Sequence, residues 1–243
     1  MDFSTPEFWL ALGKIIWVNV LLSGDNAVVI ALAARSLPPL QQKRAIMIGS
    51  GAAIVLRILL TLVAAQLLLM PYIKLVGAVL LIYIGVQLLL PEGDSDDDGD
   101  QVAGSMAAAV RTILIADLVM SLDNVIAVAA AADGNIPLLI IGLATSIPLV
   151  IFGSTLLLKV IERFPVIVWA GAALLGFIAG EISVTDLAIA DWIAAQEGAL
   201  QVAGLRLPVL VGIFGALFVT ILGKLLLRRR EGHAAAAAGA GSN

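Results

Sequence analysis

A short stretch that occurs twice decides the fold. Residues 23–35 read SGDNAVVIALAAR and residues 121–133 read SLDNVIAVAAAAD, with six of thirteen positions identical at an offset of 98. Alanines match readily by chance in apolar sequences, but the S-x-D-N quartet in both copies does not. The chain therefore contains an internal duplication, and such a repeat constrains the whole architecture.

A second pair of segments extends the duplication. Residues 76–84 (VGAVLLIYI) align with residues 170–178 (AGAALLGFI) at an offset of 94, which also aligns Pro71 with Pro165. Each copy then contains three apolar segments. Because three is an odd number, the second copy enters a membrane from the opposite side, and the sequence predicts inverted repeats. Secondary transporters often have this architecture, with their binding sites near the midplane where the copies meet.

The composition is that of a membrane protein. The 243 residues are 61% apolar and 13% charged, with a mean hydropathy of +1.07, whereas soluble domains are about 25% charged. Seven segments approach the roughly 20 residues that cross a bilayer, and their continuous apolar character favours helices over a barrel. We predict an all-α polytopic membrane protein with seven transmembrane helices, formed by two inverted three-helix repeats and one extra helix. The predicted spans are 8–32, 46–69, 72–90, 107–132, 136–161, 164–180 and 207–227.

The expected organisation follows from these spans. Residues 1–90 form the first repeat, 91–106 an acidic cytoplasmic linker, 107–181 the second repeat, 182–206 an external interfacial segment, 207–227 the seventh helix and 228–243 a cytoplasmic tail. With the N-terminus outside, ten basic residues fall on the inner side and three on the outer side. The excess of basic residues on cytoplasmic loops therefore predicts an external N-terminus and a cytoplasmic C-terminus.

Several function classes are disfavoured by composition. The net charge of −4 and the absence of a basic stripe argue against nucleic acid as a partner. The chain has no cysteine, which removes thiolate metal sites and thiol nucleophiles, and its one histidine, His233, lies in the tail. We expect no prosthetic group. We also expect no enzymatic activity, because only an aspartyl mechanism would remain.

Charge within the predicted spans is scarce and concentrated. Apart from basic residues counted with the two sides of the membrane, it consists of Asp25, Arg57, Asp117 and Asp123. A carboxylate at the bilayer centre costs about 2.5–3.5 kcal/mol on insertion scales, so three of them indicate a function. Counted from the middle of their spans, Asp25 and Asp123 lie on either side of the membrane midplane. We expect Arg57 to pair with one aspartate; alternatively, it enters the empty site as a counter-charge.

Polar neighbours complete two similar sets. Asn19, Ser23 and Asn26 have the spacing i, i+4, i+7, which places them on one helical face, and Asp117, Ser121 and Asn124 repeat it. The central aspartates do not share these faces. Either the helix is interrupted at S-x-D-N, which Gly24 eases in the first copy, or the aspartates face another neighbour.

These oxygen donors suit a hard divalent cation such as Mn²⁺, Mg²⁺ or Ca²⁺. Three aspartates and one arginine sum to −2, which a divalent ion neutralises, although protonation would do so equally well. Structural hydrogen bonding between helices is the alternative role for both motifs. The predicted metal-binding residues are Asp25, Asn26, Asp117, Asp123, Asn124, Asn19, Ser23 and Ser121.

Residues 21–35 (LLSGDNAVVIALAAR) and 116–132 (ADLVMSLDNVIAVAAAA) resemble the TerC integral membrane proteins, in particular their YjbE-like branch of metal transporters, in a wider group that includes the LysE-type exporters. The resemblance covers residues 8–227. It implies a seven-span protein that exports manganese or a similar divalent metal across a bacterial inner membrane. It places the family's acidic and asparagine positions at Asp25, Asn26, Asp117, Asp123 and Asn124. One departure is Asn19, where a second acidic residue mirroring Asp117 is expected.

The sequence thus predicts a secondary exporter of Mn²⁺ or a similar cation, with the metal as substrate, the lipid bilayer as surroundings and a homo-oligomer as a possible assembly. No nucleotide-binding signature is present, so proton exchange or the membrane potential would drive transport. Two alternatives stay open: export of a small organic solute such as an amino acid, and a membrane scaffold that supplies metal to secreted enzymes.

Overall fold

The structure is a computed structural model that describes residues 6–21, 24–67, 69–90, 100–132, 136–196 and 206–240. This part of the chain contains nine α-helices and no β-strand, which confirms the all-α prediction. The helices are α1 Pro6–Leu21, α2 Gly24–Ala34, α3 Pro39–Leu67, α4 Ile73–Leu89, α5 Asp100–Ala132, α6 Ile136–Arg163, α7 Val166–Ser183, α8 Leu187–Gln196 and α9 Leu207–Ala240.

Four helical segments within the described residues are long and apolar enough to cross a membrane. They are Pro39–Val63, Ile140–Arg163, Val166–Ser183 and Leu207–Arg230, and they correspond to four predicted spans. Helices α2 and α4 are also apolar but shorter. Large apolar side chains such as Phe152 and Phe214 are exposed on the outside of the bundle. A surface of this kind is suited to contact with lipid, so the protein is an integral membrane protein.

The two S-x-D-N motifs belong to the first and fourth predicted spans. In the first copy α1 ends at Leu21 and α2 begins at Gly24, while residues 22 and 23 lie outside the described part. In the second copy α5 continues through residues 121–124 to Ala132, so an interruption there is wrong. Leu122 of the second copy is buried and is a good helix former, whereas the first copy has Gly24 at the equivalent position, and glycine is about 1 kcal/mol less favourable than alanine in a helix.

Helices α5 and α9 extend beyond their predicted spans, whereas α8 lies within a segment that the sequence did not predict to span the membrane. Helix α5 begins at Asp100, within the predicted linker 91–106, of which residues 91–99 lie outside the described part. Helix α8 lies within the predicted external segment 182–206. Helix α9 continues to Ala240, well beyond the predicted end at residue 227. Its last part is rich in alanine, the strongest helix former, which favours a helix there.

Helices from the two copies pack against each other as corresponding pairs. Helices α1 and α2 contact α5, α3 contacts α6, and α4 contacts α7. The cross-contacts also correspond, since α3 packs on α5 and both α1 and α2 pack on α6. Helix α9 packs on α7 and α4. The helices that carry the S-x-D-N motifs therefore lie in the interior of the bundle, surrounded by the others.

One packing contact occurs in both copies. A Cβ added to Gly49 of α3 would lie 2.8 Å from Cδ1 of Ile113 in α5, and one added to Gly142 of α6 would overlap Cγ2 of Ile15 in α1. The two isoleucines are 0% and 1% exposed, and they are separated by the offset of 98 that relates the S-x-D-N motifs. Each copy thus places a buried isoleucine against a glycine of the other copy. Because Gly49 and Gly142 are then equivalent, α3 corresponds to α6 at an offset of 93.

Helices α7 and α9 approach closely through glycines. A Cβ at Gly176 would collide with the carbonyl oxygen of Gly215, and a Cβ at Gly180 would collide with that of Val211. Small residues spaced four apart allow helix backbones to approach each other in membranes, where packing replaces the hydrophobic drive. This contact fixes α9, which lies outside the duplication, to the second copy.

A buried carboxylate connects two helix starts. Asp186 is 1% exposed. Its Oδ1 accepts hydrogen bonds from the N–H groups of Tyr72 (2.9 Å) and Ala188 (2.8 Å), and its Oδ2 accepts from those of Lys74 (3.0 Å) and Leu75 (3.2 Å). These donors belong to the unpaired N–H groups that every helix start leaves. Asp186 therefore caps α4 and α8 together, and we call this the Asp186 cap.

Candidate functional site

The centre of the candidate site is the carboxylate of Asp117, which lies on α5 and is 5% exposed. Its Oδ1 accepts hydrogen bonds from Nη2 of Arg57 at 2.5 Å and from Nδ2 of Asn26 at 3.1 Å. Its Oδ2 accepts one from Oγ of Ser121 at 3.3 Å. Ser121 is one helical turn after Asp117, so the two side chains share a face of α5. Asp117 thus collects donors from α2, α3 and α5.

Arg57 holds two of these groups at once. Besides its bond to Asp117, its Nε donates to Oγ of Ser121 at 3.0 Å. Asn26, Arg57, Asp117 and Ser121 are each at most 5% exposed, and we call them the α2–α3–α5 polar cluster. The expectation that Arg57 pairs with an aspartate is confirmed, and its partner is Asp117.

The charge of the polar cluster is balanced by this ion pair. Arg57 and Asp117 are both buried, so each charge has lost its surrounding water and has the other as its partner. Removing one partner of such a pair leaves an uncompensated charge and typically costs 3–5 kcal/mol. Neither partner is therefore easily removed alone. Any other cation that binds Asp117 has to compete with Arg57.

The amide of Asn26 leaves one oxygen unsatisfied. A carboxylate only accepts hydrogen bonds, so the NH₂ group of Asn26 faces Asp117 and fixes the position of its Oδ1. That oxygen is buried and has no hydrogen-bond partner among the described residues. Buried polar atoms in native proteins are nearly always paired, so this oxygen is available to a partner other than the groups that the described residues supply.

Asp25 lies next to the cluster at the start of α2. Its side chain is half-buried, and its Oδ1 accepts a hydrogen bond from the N–H of Asn26 at 2.8 Å. The positive end of the helix dipole favours a negative charge in this first turn. A second carboxylate therefore lies one residue from the unsatisfied oxygen of Asn26.

The structure brings together three of the eight predicted metal-binding residues, namely Asn26, Asp117 and Ser121, and places Asp25 beside them. The side chains of the other four are outside the described part: Asn19, Ser23, Asp123 and Asn124. Among the described residues, no group of three or more His, Cys, Asp or Glu side chains is arranged to hold a metal.

The other half of the molecule has neutral residues where the ion pair lies. The offset of 98 relates Asp117 to Asn19, and the offset of 93 that relates the glycine contacts pairs Arg57 with Val150. Both charges are thus present in one half and both are absent from the other. The repeated S-x-D-N motif already aligns Asn19 with Asp117. The alignment of Val150 with Arg57 has no such motif, and it depends on the equivalent contacts of Gly49 and Gly142.

Asp186 was not among the predicted site residues, and it has a different role. Burial disfavours its charged form, but four backbone donors outweigh that effect and hold the pKa of Asp186 below its usual range. An aspartate before a helix is a recognisable cap signal. Its bonds to the start of α4, more than a hundred residues away, have no local signal in the sequence.

Comparisons with known proteins agree with this architecture. Residues 4–232 match the profile of the Integral membrane protein TerC family. The chain is 40% identical over 208 residues to Uncharacterized membrane protein YjbE of Bacillus subtilis (strain 168), covering 86% of this chain and 93% of the relative. It is 26% identical over 182 residues to Uncharacterized membrane protein YceF of the same organism, covering 72% and 70%. UPF0053 inner membrane protein YgdQ of Escherichia coli (strain K12) is 23% identical over 176 residues, covering 66% and 74%. No solved structure matches the chain.

Proposed function

Because the chain belongs to the TerC family of integral membrane proteins, we propose that it is a secondary transporter that exports Mn²⁺ or a similar hard divalent cation. The cation binds between the first and fourth spans, at a site formed by both S-x-D-N motifs. Proton exchange or the membrane potential drives its movement, with intramembrane carboxylates as ligands and proton carriers.

The observation that carries this proposal is the meeting of the two motifs in one buried cluster. Asn26 of the first motif donates to Asp117, and Ser121 of the second motif donates to the same carboxylate. Polar and charged groups buried in an apolar bundle mark ion pathways more often than structural contacts. The cluster lies between helices of different copies, where transporters with inverted repeats bind their substrates.

A seven-span architecture with inverted repeats is part of the proposal. The paired contacts of Gly49 with Ile113 and of Gly142 with Ile15 support it, since equivalent residues make them. The Asp186 cap adds support, because it places the start of α4 and the end of α7 at one end of the bundle. Three spans related to three others by inversion produce this arrangement.

The ligand set favours a hard cation. The described part of the site offers carboxylate, amide and hydroxyl oxygens, which suit Mn²⁺, Mg²⁺ and Ca²⁺. We assign the complete site to Asp25, Asn26, Asp117 and Ser121 together with Asn19, Ser23, Asp123 and Asn124. The relative YgdQ is described as an inner membrane protein, and we place this chain in the bacterial inner membrane with its N-terminus outside.

Flux measurements in proteoliposomes test the proposal. Purified protein should move Mn²⁺ across the membrane, and Asp25→Asn or Asp123→Asn should abolish the flux while the protein still inserts. Asp191→Asn is the matched control, because Asp191 is an exposed carboxylate on α8, and its flux should equal that of the unmodified protein.

Other results would point elsewhere. Full Mn²⁺ flux in both the Asp25 and Asp123 variants would refute the assigned site. Mn²⁺ binding without net flux would indicate a scaffold that supplies metal to other proteins. Movement of an amino acid without a divalent ion would indicate an organic solute exporter.

A further inference from the structure

We propose that Arg57 is a built-in counter-cation: its guanidinium occupies Asp117 when no metal is bound and has to leave before the metal can bind. This role rests on the proposed function, because it assigns an occupant to the same site in its empty state. It makes Arg57 a determinant of metal affinity that is not itself a ligand.

The guanidinium occupies the oxygens that a metal would use. Its Nη2 lies 2.5 Å from Oδ1 of Asp117, and its Nε lies 3.0 Å from Oγ of Ser121. Divalent cations bind carboxylate oxygens at about 2.0–2.6 Å. A metal on Asp117 would therefore lie within a few ångströms of a positive charge in a site with little screening, so the two cations exclude each other.

The guanidinium leaves one potential metal ligand unused. Oδ1 of Asn26 is buried and has no hydrogen-bond partner among the described residues, although the NH₂ group of the same amide binds Asp117. With Arg57 as the occupant, no described group satisfies this oxygen, and a buried acceptor without any partner costs about 1–3 kcal/mol. A divalent cation takes more oxygen ligands than a guanidinium, and an amide carbonyl is one that it accepts.

The duplication distinguishes charge compensation from packing. The contact of Gly142 with Ile15 repeats the contact of Gly49 with Ile113, yet the residues at the positions equivalent to Asp117 and Arg57 are Asn19 and Val150. The same helix packing therefore forms without an ion pair. The arginine is present where the carboxylate is present, as expected if its role is to neutralise that carboxylate.

The exchange also balances charge through a transport cycle. When empty, the site has Arg57 on Asp117, so this carboxylate stays paired while the protein changes conformation. When Mn²⁺ replaces the guanidinium, its second charge can be compensated by Asp25, which precedes Asn26 at the start of α2. The empty carrier can then return without a large electrostatic cost.

Binding of Mn²⁺ to the purified full-length protein, measured by calorimetry, tests the role of Arg57. Arg57→Gln removes the competing charge, so the dissociation constant should fall about tenfold or more. Arg57→Lys keeps the charge but cannot bond Asp117 and Ser121 through a planar fork, so its affinity should lie between those of the unmodified protein and Arg57→Gln. Arg111→Gln, an exposed change on the same helix as Asp117, controls for net charge and should have no effect.

Flux provides the second readout. Arg57→Gln should bind Mn²⁺ more tightly but transport it more slowly, because its empty form buries Asp117 without a counter-charge. Equal or weaker binding by a folded Arg57→Gln protein overturns the inference. If that variant does not fold, Arg57→Lys decides, and affinity no higher than that of the unmodified protein overturns it. If the unmodified protein neither binds nor moves Mn²⁺, the proposed function is rejected as well. If flux is normal and the affinity is unchanged in both Arg57 variants, only the role of Arg57 is rejected.

Discussion

At the scale of single residues, Asp186 connects parts of the chain that the sequence keeps far apart. Replacing it with Asn keeps one acceptor but places an NH₂ group opposite the N–H groups of Lys74 and Leu75, if Oδ1 keeps its partners. Two hydrogen bonds to a charged group are lost, and we expect Asp186→Asn to lower the free energy of unfolding by about 1–3 kcal/mol. Thermal unfolding in detergent measures this, and Asp191→Asn should leave stability unchanged.

The same carboxylate also contributes a dependence on pH. Since the folded-state pKa of Asp186 is lowered, its contribution is complete above the ordinary aspartate pKa of about 3.9 and is lost as the pH falls through the lower folded value. The Asp186→Asn protein should lack this part of the loss of stability in acid. Identical acid profiles for the two proteins would show that the cap does not contribute in this way.

Part of the polar cluster was predictable from the sequence, because charged residues are rare within transmembrane segments and each one indicates a role. Asp117, Ser121 and Asn26 stood out by residue type and helical spacing, and the structure joins them. The preference of Arg57 for Asp117 over Asp25 was not predictable, since it depends on how α3 packs against α5. The Asp186 cap was not predictable for the same reason, because its partners come from a distant helix.

At the scale of helices, the contact between α7 and α9 depends on the absence of side chains. A Cβ at Gly180 would meet the backbone of Val211 and Gly212, which cannot rotate away as the tip of a side chain can. We expect Gly180→Ala to separate the two helices and to lower stability by about 1–3 kcal/mol, as overpacking typically does. Unfolding of the purified variant in detergent measures the effect.

Gly51→Ala is the matched control for that substitution. Gly51 lies within α3, and a Cβ there would have no neighbour within 4 Å. Alanine is also the better helix former by about 1 kcal/mol, so this variant should be as stable as the unmodified protein or slightly more stable. Equal stability of both variants would show that α7 and α9 do not need their close approach.

Helix existence was easier to predict than helix boundaries. Continuous apolar segments predicted α3, α4, α6, α7 and α9 because length and hydropathy decide them locally. The start of α5 at Asp100 and the extension of α9 to Ala240 were missed, since polar or alanine-rich helical turns outside a span carry no hydrophobic signal.

At the scale of the whole molecule, two contacts identify opposite ends of the bundle. The Asp186 cap brings the start of α4 to the loop after α7. A hydrogen bond of 2.7 Å from Nη2 of Arg35 to the carbonyl oxygen of Leu88 brings the end of α2 to the end of α4. Because the two ends of α4 lie far apart, these contacts mark opposite ends of the bundle, which the positive-inside count assigns to the outside and the cytoplasm.

The absence of cysteine makes this orientation directly testable. Single cysteines at Ser36, between α2 and α3, and at Thr185, between α7 and α8, replace exposed residues at the two ends. A maleimide that cannot cross membranes should label Thr185→Cys in intact cells and should label Ser36→Cys only after lysis. The reverse pattern would place the N-terminus in the cytoplasm, and labelling of both in intact cells would contradict the predicted spans.

The neutral pair Asn19 and Val150 opposite Asp117 and Arg57 has a consequence for the idle protein. Suppose that the two halves exchange conformations during transport. The inward-facing and outward-facing states would then be similar in backbone structure but different in electrostatic energy, because Asn19 and Val150 cannot form an ion pair equivalent to that of Asp117 and Arg57. An unloaded carrier would then not divide its time evenly between facing inward and facing outward. It would have a preferred resting side, set by one arginine and one aspartate.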